Sequence, residues 1–113
     1  VALNNLAWVS HQLKLESAIA YAEKANQLEP RQPTFMDTWA MLLSAMGEHA
    51  KAIELQTKAL NLEPTNTGYR LNLAKIYLAA GKKAQAKTEL DLLANLGEKD
   101  PSHTEVMTLI KTL

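Results

Sequence analysis

Histidine and serine are the residue types in this chain that could supply metal ligands or a catalytic nucleophile. His11, His49 and His103 are too far apart for any two to share a helix face, and the chain contains no cysteine. Because a zinc site needs several such ligands converging on one point, no metal site is predicted. No serine has a histidine or an aspartate at a spacing that indicates a nucleophile and its base. The sequence therefore predicts neither catalytic residues nor enzyme activity.

The glycines give no sign of a bound cofactor. The four glycines are scattered along the chain, whereas a loop that cradles phosphate needs them close together ahead of a helix. No cofactor is therefore predicted. The remaining candidates for function are polar and aromatic side chains suited to contacting a partner.

The opening segment, VALNNLAWVSHQL, contains the first of these candidates. At helical periodicity Asn4, Trp8, His11 and Gln12 fall along one side, away from an apolar side that carries Leu6. The chain begins without methionine and inside this pattern, so we expect it to be a segment of a longer protein. The polar side is then either a binding surface or a contact with helices that precede it.

Charge and composition restrict the class of partner. The 12 basic and 12 acidic residues balance, whereas a nucleic-acid-binding domain normally has an excess of basic ones. No apolar run reaches the roughly 18 residues that a membrane span needs. We therefore expect neither a nucleic-acid partner nor membrane insertion by this chain. Good helix formers are abundant and no segment alternates with a period of two for long, so an all-α fold is predicted.

A repeat of 34 residues organises the predicted helices. Gly47 and Gly81 are separated by this interval, and so are Ala52 and Ala86. The same step back from Pro64 reaches another proline, at position 30. A period that holds over three copies is typical of helical repeat proteins, in which each copy is one supersecondary unit.

Each copy is predicted to be a pair of helices. The first helix places a large residue next to a small one, as at Trp39–Ala40 and Leu73–Ala74. Small residues at a crossing allow two helices to approach to about 8–10 Å. The glycine that follows can adopt the left-handed conformation that ends a helix, and a proline ends the second helix. Trp39 is therefore expected in the core.

These positions resemble the tetratricopeptide repeat pattern W-x2-L-G-x2-Y, A-x3-F, P. In the second copy the matching residues are Met36, Trp39, Ala40, Leu43, Ala52, Gln56 and Pro64. The resemblance covers residues 1–97 and implies a right-handed α-solenoid of three helix hairpins, folded as a single domain over residues 1–113. The hairpins are expected at 1–32, 33–66 and 67–100, with a C-terminal capping helix at 101–113.

The resemblance also implies a function, which is binding of a protein or peptide segment in a concave groove lined by the first helices, without catalysis. Carried over position by position, the groove residues are Asn4, Asn5, Trp8, His11, Gln12, Asp37, Thr38, Met41, Leu71, Asn72 and Lys75, and Thr34 begins the same face of the second copy. Asparagine amides can bridge a peptide backbone, and methionine adapts to varied partners. The alternative is a structural segment that extends a longer solenoid or makes it dimerise.

One familiar ligand of this family is not expected here. A subset of its members binds a C-terminal carboxylate with lysine and asparagine or arginine side chains on the first helices. The matching positions in this chain are Asn4, Trp8, Thr38, Gly68 and Asn72. Because none of them is basic, the carboxylate clamp is predicted to be absent.

Departures from the pattern lead to further expectations. The first copy is one residue shorter between its helices, which places its turn at Leu13–Lys14 without a glycine. Gln56 stands where the pattern has a large aromatic residue, which predicts a looser or partly polar contact. Ser102 and Glu105 match a capping box at the start of the last helix. The apolar residues that a capping helix would bury are Val106, Leu109, Ile110 and Leu113.

A narrower resemblance concerns the cellular compartment. The phrases ALNNLAW and DTWAMLLSAMGEHAKAI are similar to the C-terminal repeats of bacterial lipoproteins of this family that are associated with exosortase and exopolysaccharide systems. That resemblance implies a periplasmic protein whose N-terminus is anchored at a membrane. A cytoplasmic location is the alternative.

Overall fold

The structure is a computed structural model that describes residues 2–113, with side chains from Leu13 onward. This part of the chain contains helices and no strand, which confirms the predicted all-α fold. The helices are α1 (Ala2–Leu28), α2 (Pro33–Ala45), α3 (His49–Leu62), α4 (Thr67–Ala79), α5 (Lys83–Ala94) and α6 (His103–Lys111). Helices α2 and α3 form one hairpin, and α4 and α5 form the next.

The first copy differs from the expected hairpin. Helix α1 is continuous over 27 residues, so the turn predicted at Leu13–Lys14 is absent. The segment LKLESA at this point contains no glycine or proline and consists largely of good helix formers. Nothing in it ends a helix. The missing glycine therefore results in one long helix, not in a tighter turn.

Glycine closes α2 and α4 as predicted. Gly47 has a φ of +84° and Gly81 a φ of +77°, which is the left-handed region that only glycine adopts at low cost. After α2, the amide of Glu48 donates to the carbonyl of Leu43 at 2.9 Å, and an equivalent bond follows α4. These bonds satisfy carbonyls that the helix ends would leave without a partner. The next helix can therefore begin within a few residues.

Two apolar clusters hold the helices together. The first includes Trp39 and Ala40 of α2, with Ala22 of α1 packed against them. The second joins α4, α5 and α6 and includes Ala74 and Val106. Ala40 and Ala74 are completely buried, and Ala22 and Trp39 are each 8% exposed. The prediction that Trp39 belongs to the core is confirmed.

Helix α6 packs its apolar face onto the second cluster. Val106 is completely buried, and Leu109 and Ile110 contact the same cluster. The predicted capping box does not form, because the side chain of Ser102 makes no bond to the helix. Its hydroxyl and its amide both donate to Oδ1 of Asp100. A carboxylate two residues away is a strong local acceptor, and it directs the hydroxyl away from the helix.

Candidate partner-binding surface

Helices α2 and α4 lie side by side, and their shared face carries most of the groove residues predicted for the second and third copies. We call the accessible part of this face the α2–α4 surface, defined by Thr34, Asp37, Thr38, Met41, Asn72 and Lys75. Thr34 and Thr38 are exposed and the other four side chains are half-buried. The face therefore combines hydroxyl, amide, charged and thioether groups within reach of a partner.

Two hydrogen bonds connect the helices across this surface. Nδ2 of Asn72 donates to Oδ1 of Asp37 at 2.9 Å, and the hydroxyl groups of Thr34 and Tyr69 are 3.3 Å apart. Thr34 precedes Asp37 by three residues, as Tyr69 precedes Asn72, so the two bonds lie about one helical turn apart. The structure thus brings Asp37 and Asn72 into direct contact.

Gln56 of α3 supports Asp37 from inside the fold. Its side chain is completely buried, and Nε2 donates to Oδ1 of Asp37 at 2.7 Å and to the carbonyl of Tyr69 at 3.0 Å. The partly polar contact predicted for Gln56 is confirmed. Its Oε1 is buried and has no partner among the described residues. The sequence indicated a polar contact here, but it did not indicate that the contact would be with Asp37.

Leu71 does not belong to this surface. It is 6% exposed and packs in the cluster that contains Leu90, Leu93 and Val106. The prediction that Leu71 lines an accessible groove was therefore wrong. The second copy has Asp37 at the matching position, and an aspartate stays in contact with water, whereas burial of a leucine among apolar side chains is favourable. The side chains of α5 and α6 enclose it.

Lys75 is already paired with a residue of α6. Its Nζ lies 2.5 Å from Oε1 of Glu105, and the two side chains are 35% and 51% exposed. Lys75 remains accessible, but a nearby carboxylate balances its charge. The positive charge of Lys75, which the sequence predicted to be available to a partner, is therefore paired within the chain.

The predicted groove residues of the first copy lie outside the described side chains. These residues are Asn4, Asn5, Trp8, His11 and Gln12. The structure gives their backbone as part of α1. Their contribution to a binding groove stays a prediction.

Two groups with shifted pKa values lie away from the α2–α4 surface. Burial, with the charge of Glu89 as the smaller cause, raises the pKa of Tyr77. The Glu89 carboxylate also pairs with Arg70 at 2.5 Å. Ahead of α6, hydrogen bonds from the hydroxyl and amide of Ser102 hold the pKa of Asp100 below its ordinary value. The ion pair between Arg70 and Glu89 joins α4 to α5, and the bonds from Ser102 to Asp100 order the loop before α6.

Two crevices that the sequence did not indicate lie at equivalent ends of the α2–α3 and α4–α5 pairs, between the start of the first helix and the end of the second. The larger has a volume of about 620 Å³ and is walled by Pro64, Leu92 and Leu96, among others. The smaller has a volume of about 310 Å³ and includes Met36 and Leu62. Leu62 and Leu96 are one repeat apart, so the same crevice forms twice. Their spacing was visible in the sequence, but their exposure of 48% and 55% was not.

Among residues 13–113, whose side chains the structure describes, no three potential metal ligands come together. None of the described helices combines the length and the hydrophobicity required to cross a bilayer.

Comparison with known proteins identifies the family. A family model described as tetratricopeptide repeat matches residues 43–110, which is more than half of the chain. The chain belongs to the tetratricopeptide repeat family. Domains of this family generally mediate protein–protein interactions and are typically scaffolds without catalytic activity.

A curated relative is considerably longer than this chain. The chain is 29% identical over 109 residues to a TPR repeat-containing protein of Treponema pallidum (strain Nichols), in an alignment that covers 79% of this chain and 14% of that protein. The chain thus spans about a seventh of the length of the curated relative. These comparisons do not support the narrower resemblance to exosortase-associated lipoproteins.

Proposed function

We propose that this chain is a protein–protein interaction module that binds an extended peptide or protein segment on the α2–α4 surface, without a covalent step. The observation that carries the proposal is the bonded contact between Asp37 and Asn72. It presents a fixed arrangement of polar groups beside the accessible side chains of Thr38 and Met41. A surface whose side chains are already ordered loses less conformational entropy when a partner binds.

The chemistry of the surface suits a peptide backbone next to an apolar side chain. The Asn72 amide has acceptor capacity beyond the donor that it gives to Asp37. Met41 is half-buried against the first apolar cluster, so its thioether is anchored at one end and adaptable at the other. The same family position in the third copy is Lys75, whose charge is balanced by Glu105. The surface is therefore mixed in character and not dominated by basic groups.

A peptide-display screen followed by calorimetry tests this proposal. Thr38→Arg places a long charged side chain in the middle of the surface, and we expect it to weaken binding of a selected peptide by at least about tenfold. Thr88→Arg makes the same change at an exposed position of α5, and we expect the affinity to stay unchanged. Circular dichroism checks that both variants are folded. Equal affinities for both variants would exclude the α2–α4 surface as the binding site.

A second candidate function is extension or dimerisation of a longer solenoid through α1. The exposed side chains of α1 include Tyr21 at 77%, Leu28 at 74% and Leu13 at 58%. Tyr21 and Leu28 are seven residues apart and lie on one helix face. Sedimentation over a range of concentrations tests this candidate, because Tyr21→Glu would dissociate a dimer built on this face. A monomer at all concentrations would count against dimerisation.

A further inference from the structure

The charge balance of the α2–α4 surface points to the kind of side chain that a partner presents. Asp37 and Lys75 are the two charged residues of this surface. Lys75 is paired with Glu105 at 2.5 Å, whereas no described cation lies within salt-bridge distance of Asp37. The Asp37 carboxylate accepts from two amide groups, and both donors are neutral. Its negative charge is therefore positioned but not neutralised by the described side chains.

Gln56 sets the direction of that carboxylate. Its Nε2 lies between Oδ1 of Asp37 and the carbonyl of Tyr69. Rotation of the amide by half a turn would place Oε1 against two acceptors, which is repulsive, so the amide has one favourable orientation. The side chain is completely buried and cannot turn to solvent. Both amide donors reach the same oxygen of Asp37, and the other oxygen has no described protein partner.

An apolar contact lies one helical turn from the carboxylate. Met41 follows Asp37 by four residues, so the two side chains lie on the same face of α2. Lysine and arginine combine an aliphatic stem with a cationic end. A basic side chain laid along α2 could therefore contact Met41 with its stem and Asp37 with its charge. A charge-assisted hydrogen bond of this kind is about twice as strong as one between neutral groups.

We propose that Asp37 is the residue that determines specificity on the α2–α4 surface, that it recognises a lysine or arginine side chain of the bound segment, and that Gln56 is its positioning residue. This inference rests on the proposed function. It adds the chemical class of the partner residue, a basic side chain, and it assigns the selectivity to one carboxylate.

The test uses a peptide selected on the intact chain and an analogue in which norleucine replaces its basic residue. Asp37→Asn removes the charge and keeps an acceptor at the same place. We expect it to weaken binding of the basic peptide by at least about tenfold and to leave the norleucine analogue unchanged. Asp91→Asn is the matched control, because Asp91 lies on α5 and pairs with Lys87. We expect that variant to bind both peptides as the unmodified chain does.

Gln56→Met provides a second test, in which the charge of residue 37 is left unchanged. If Gln56 positions Asp37, this variant selectively loses affinity for the basic peptide and retains affinity for the norleucine analogue. A general loss of structure would lower both affinities equally and would overturn the positioning role. The Asp37→Asn result stands independently, since that substitution leaves the buried glutamine in place.

The outcomes separate this inference from the proposed function. Selected peptides that lack basic residues, or that bind Asp37→Asn as tightly as the unmodified chain, would overturn the inference even if Thr38→Arg still abolished their binding. Peptides that are insensitive to Thr38→Arg would overturn the proposed function, and the inference with it.

Discussion

Asp37 and Asn72 are joined by a hydrogen bond of 2.9 Å although they lie 35 residues apart, one more than the repeat length. The contact between Thr34 and Tyr69 spans the same interval. At these two contacts the second and third copies therefore meet with an offset of one residue: Asp37 and Thr34 each face the residue next to their own equivalent in the following copy. This offset lets an aspartate of one copy meet an asparagine of the next, and it decides which polar groups share the surface.

Replacement of the buried glutamine should reduce stability. Gln56→Met removes two hydrogen bonds and leaves the carbonyl of Tyr69 without that donor. We expect the free energy of unfolding to fall by about 1–3 kcal/mol, measured by urea denaturation. Gln85→Met is the matched control on an exposed position of α5 and should change stability little. A Gln56→Met protein as stable as the unmodified chain would show that the buried amide adds nothing net.

Truncation of Leu71 distinguishes a core position from a groove position. Leu71→Ala removes a side chain that is 6% exposed, and we expect a loss of about 2–5 kcal/mol in the free energy of unfolding. Leu92→Ala is the control. Because Leu92 is 48% exposed, its truncation should lower the free energy of unfolding much less. Similar losses for the two variants would contradict the enclosure of Leu71 by α5 and α6.

The ion pair between Lys75 and Glu105 should link α6 to α4 measurably. A double-mutant cycle with alanine at both positions should give a coupling energy of about 0.2–1 kcal/mol, and added salt should reduce it. The pair Glu54 and Lys58 lies within one helix and is more exposed, so it serves as a reference for a local pair. A coupling of zero at low salt would mean that α6 is held by its apolar face alone.

The loop before α6 offers a test by titration. Because hydrogen bonds from Ser102 lower the pKa of Asp100 from its ordinary 3.8, Ser102→Ala should raise that pKa toward the ordinary value. A carboxyl group with a lowered pKa in the folded state stabilises the fold above its ordinary pKa, and this contribution disappears as the pH falls through the lowered value. Ser102→Ala should therefore weaken the dependence of stability on pH below about 4.

Carbon-13 NMR of the Asp100 carboxyl group measures the shift directly. Ser17→Ala is the control, because Ser17 is exposed on α1 and far along the chain. Unchanged titration of Asp100 in the Ser102→Ala protein would mean that the hydroxyl is not the main cause of the lowered pKa.

The repeat period predicted the second and third helix pairs correctly, but it did not predict that the first copy is one long helix, and it predicted individual contacts less well. Trp39, Gly47 and Gly81 were placed correctly because their roles follow from local pattern, which is a large residue beside a small one and a glycine after a helix. The turn at Leu13–Lys14 was inferred from alignment with the other copies. The local sequence contains no residue that ends a helix, and helix propensity decided the outcome.

The candidate surface was predicted in outline, but its contacts depend on neighbours that the period does not specify. Leu71 and Asp37 are equivalent positions in the repeat, yet one is enclosed and the other is accessible. The difference comes from α6, whose apolar side chains pack in the same cluster as Leu71. Gln56 was identified in the sequence as a polar residue at a position where the repeat pattern has a large aromatic one. Its partner could not be read from the sequence because it lies 19 residues away.

The order in which helices pack has a consequence for folding. Apart from the contact between α2 and α4, the helices that pack extensively are neighbours along the chain. Contacts so close in sequence favour rapid folding. The stability of such an array is approximately the sum of the stabilities of its repeats and of the interfaces between neighbouring repeats. In the isolated 113-residue chain, opening should therefore begin at α1 and α6, each of which packs extensively on one described neighbour, and it should reach α2, α3 and α4 last. The α2–α4 surface of this chain would then remain assembled while α1 and α6 open and close.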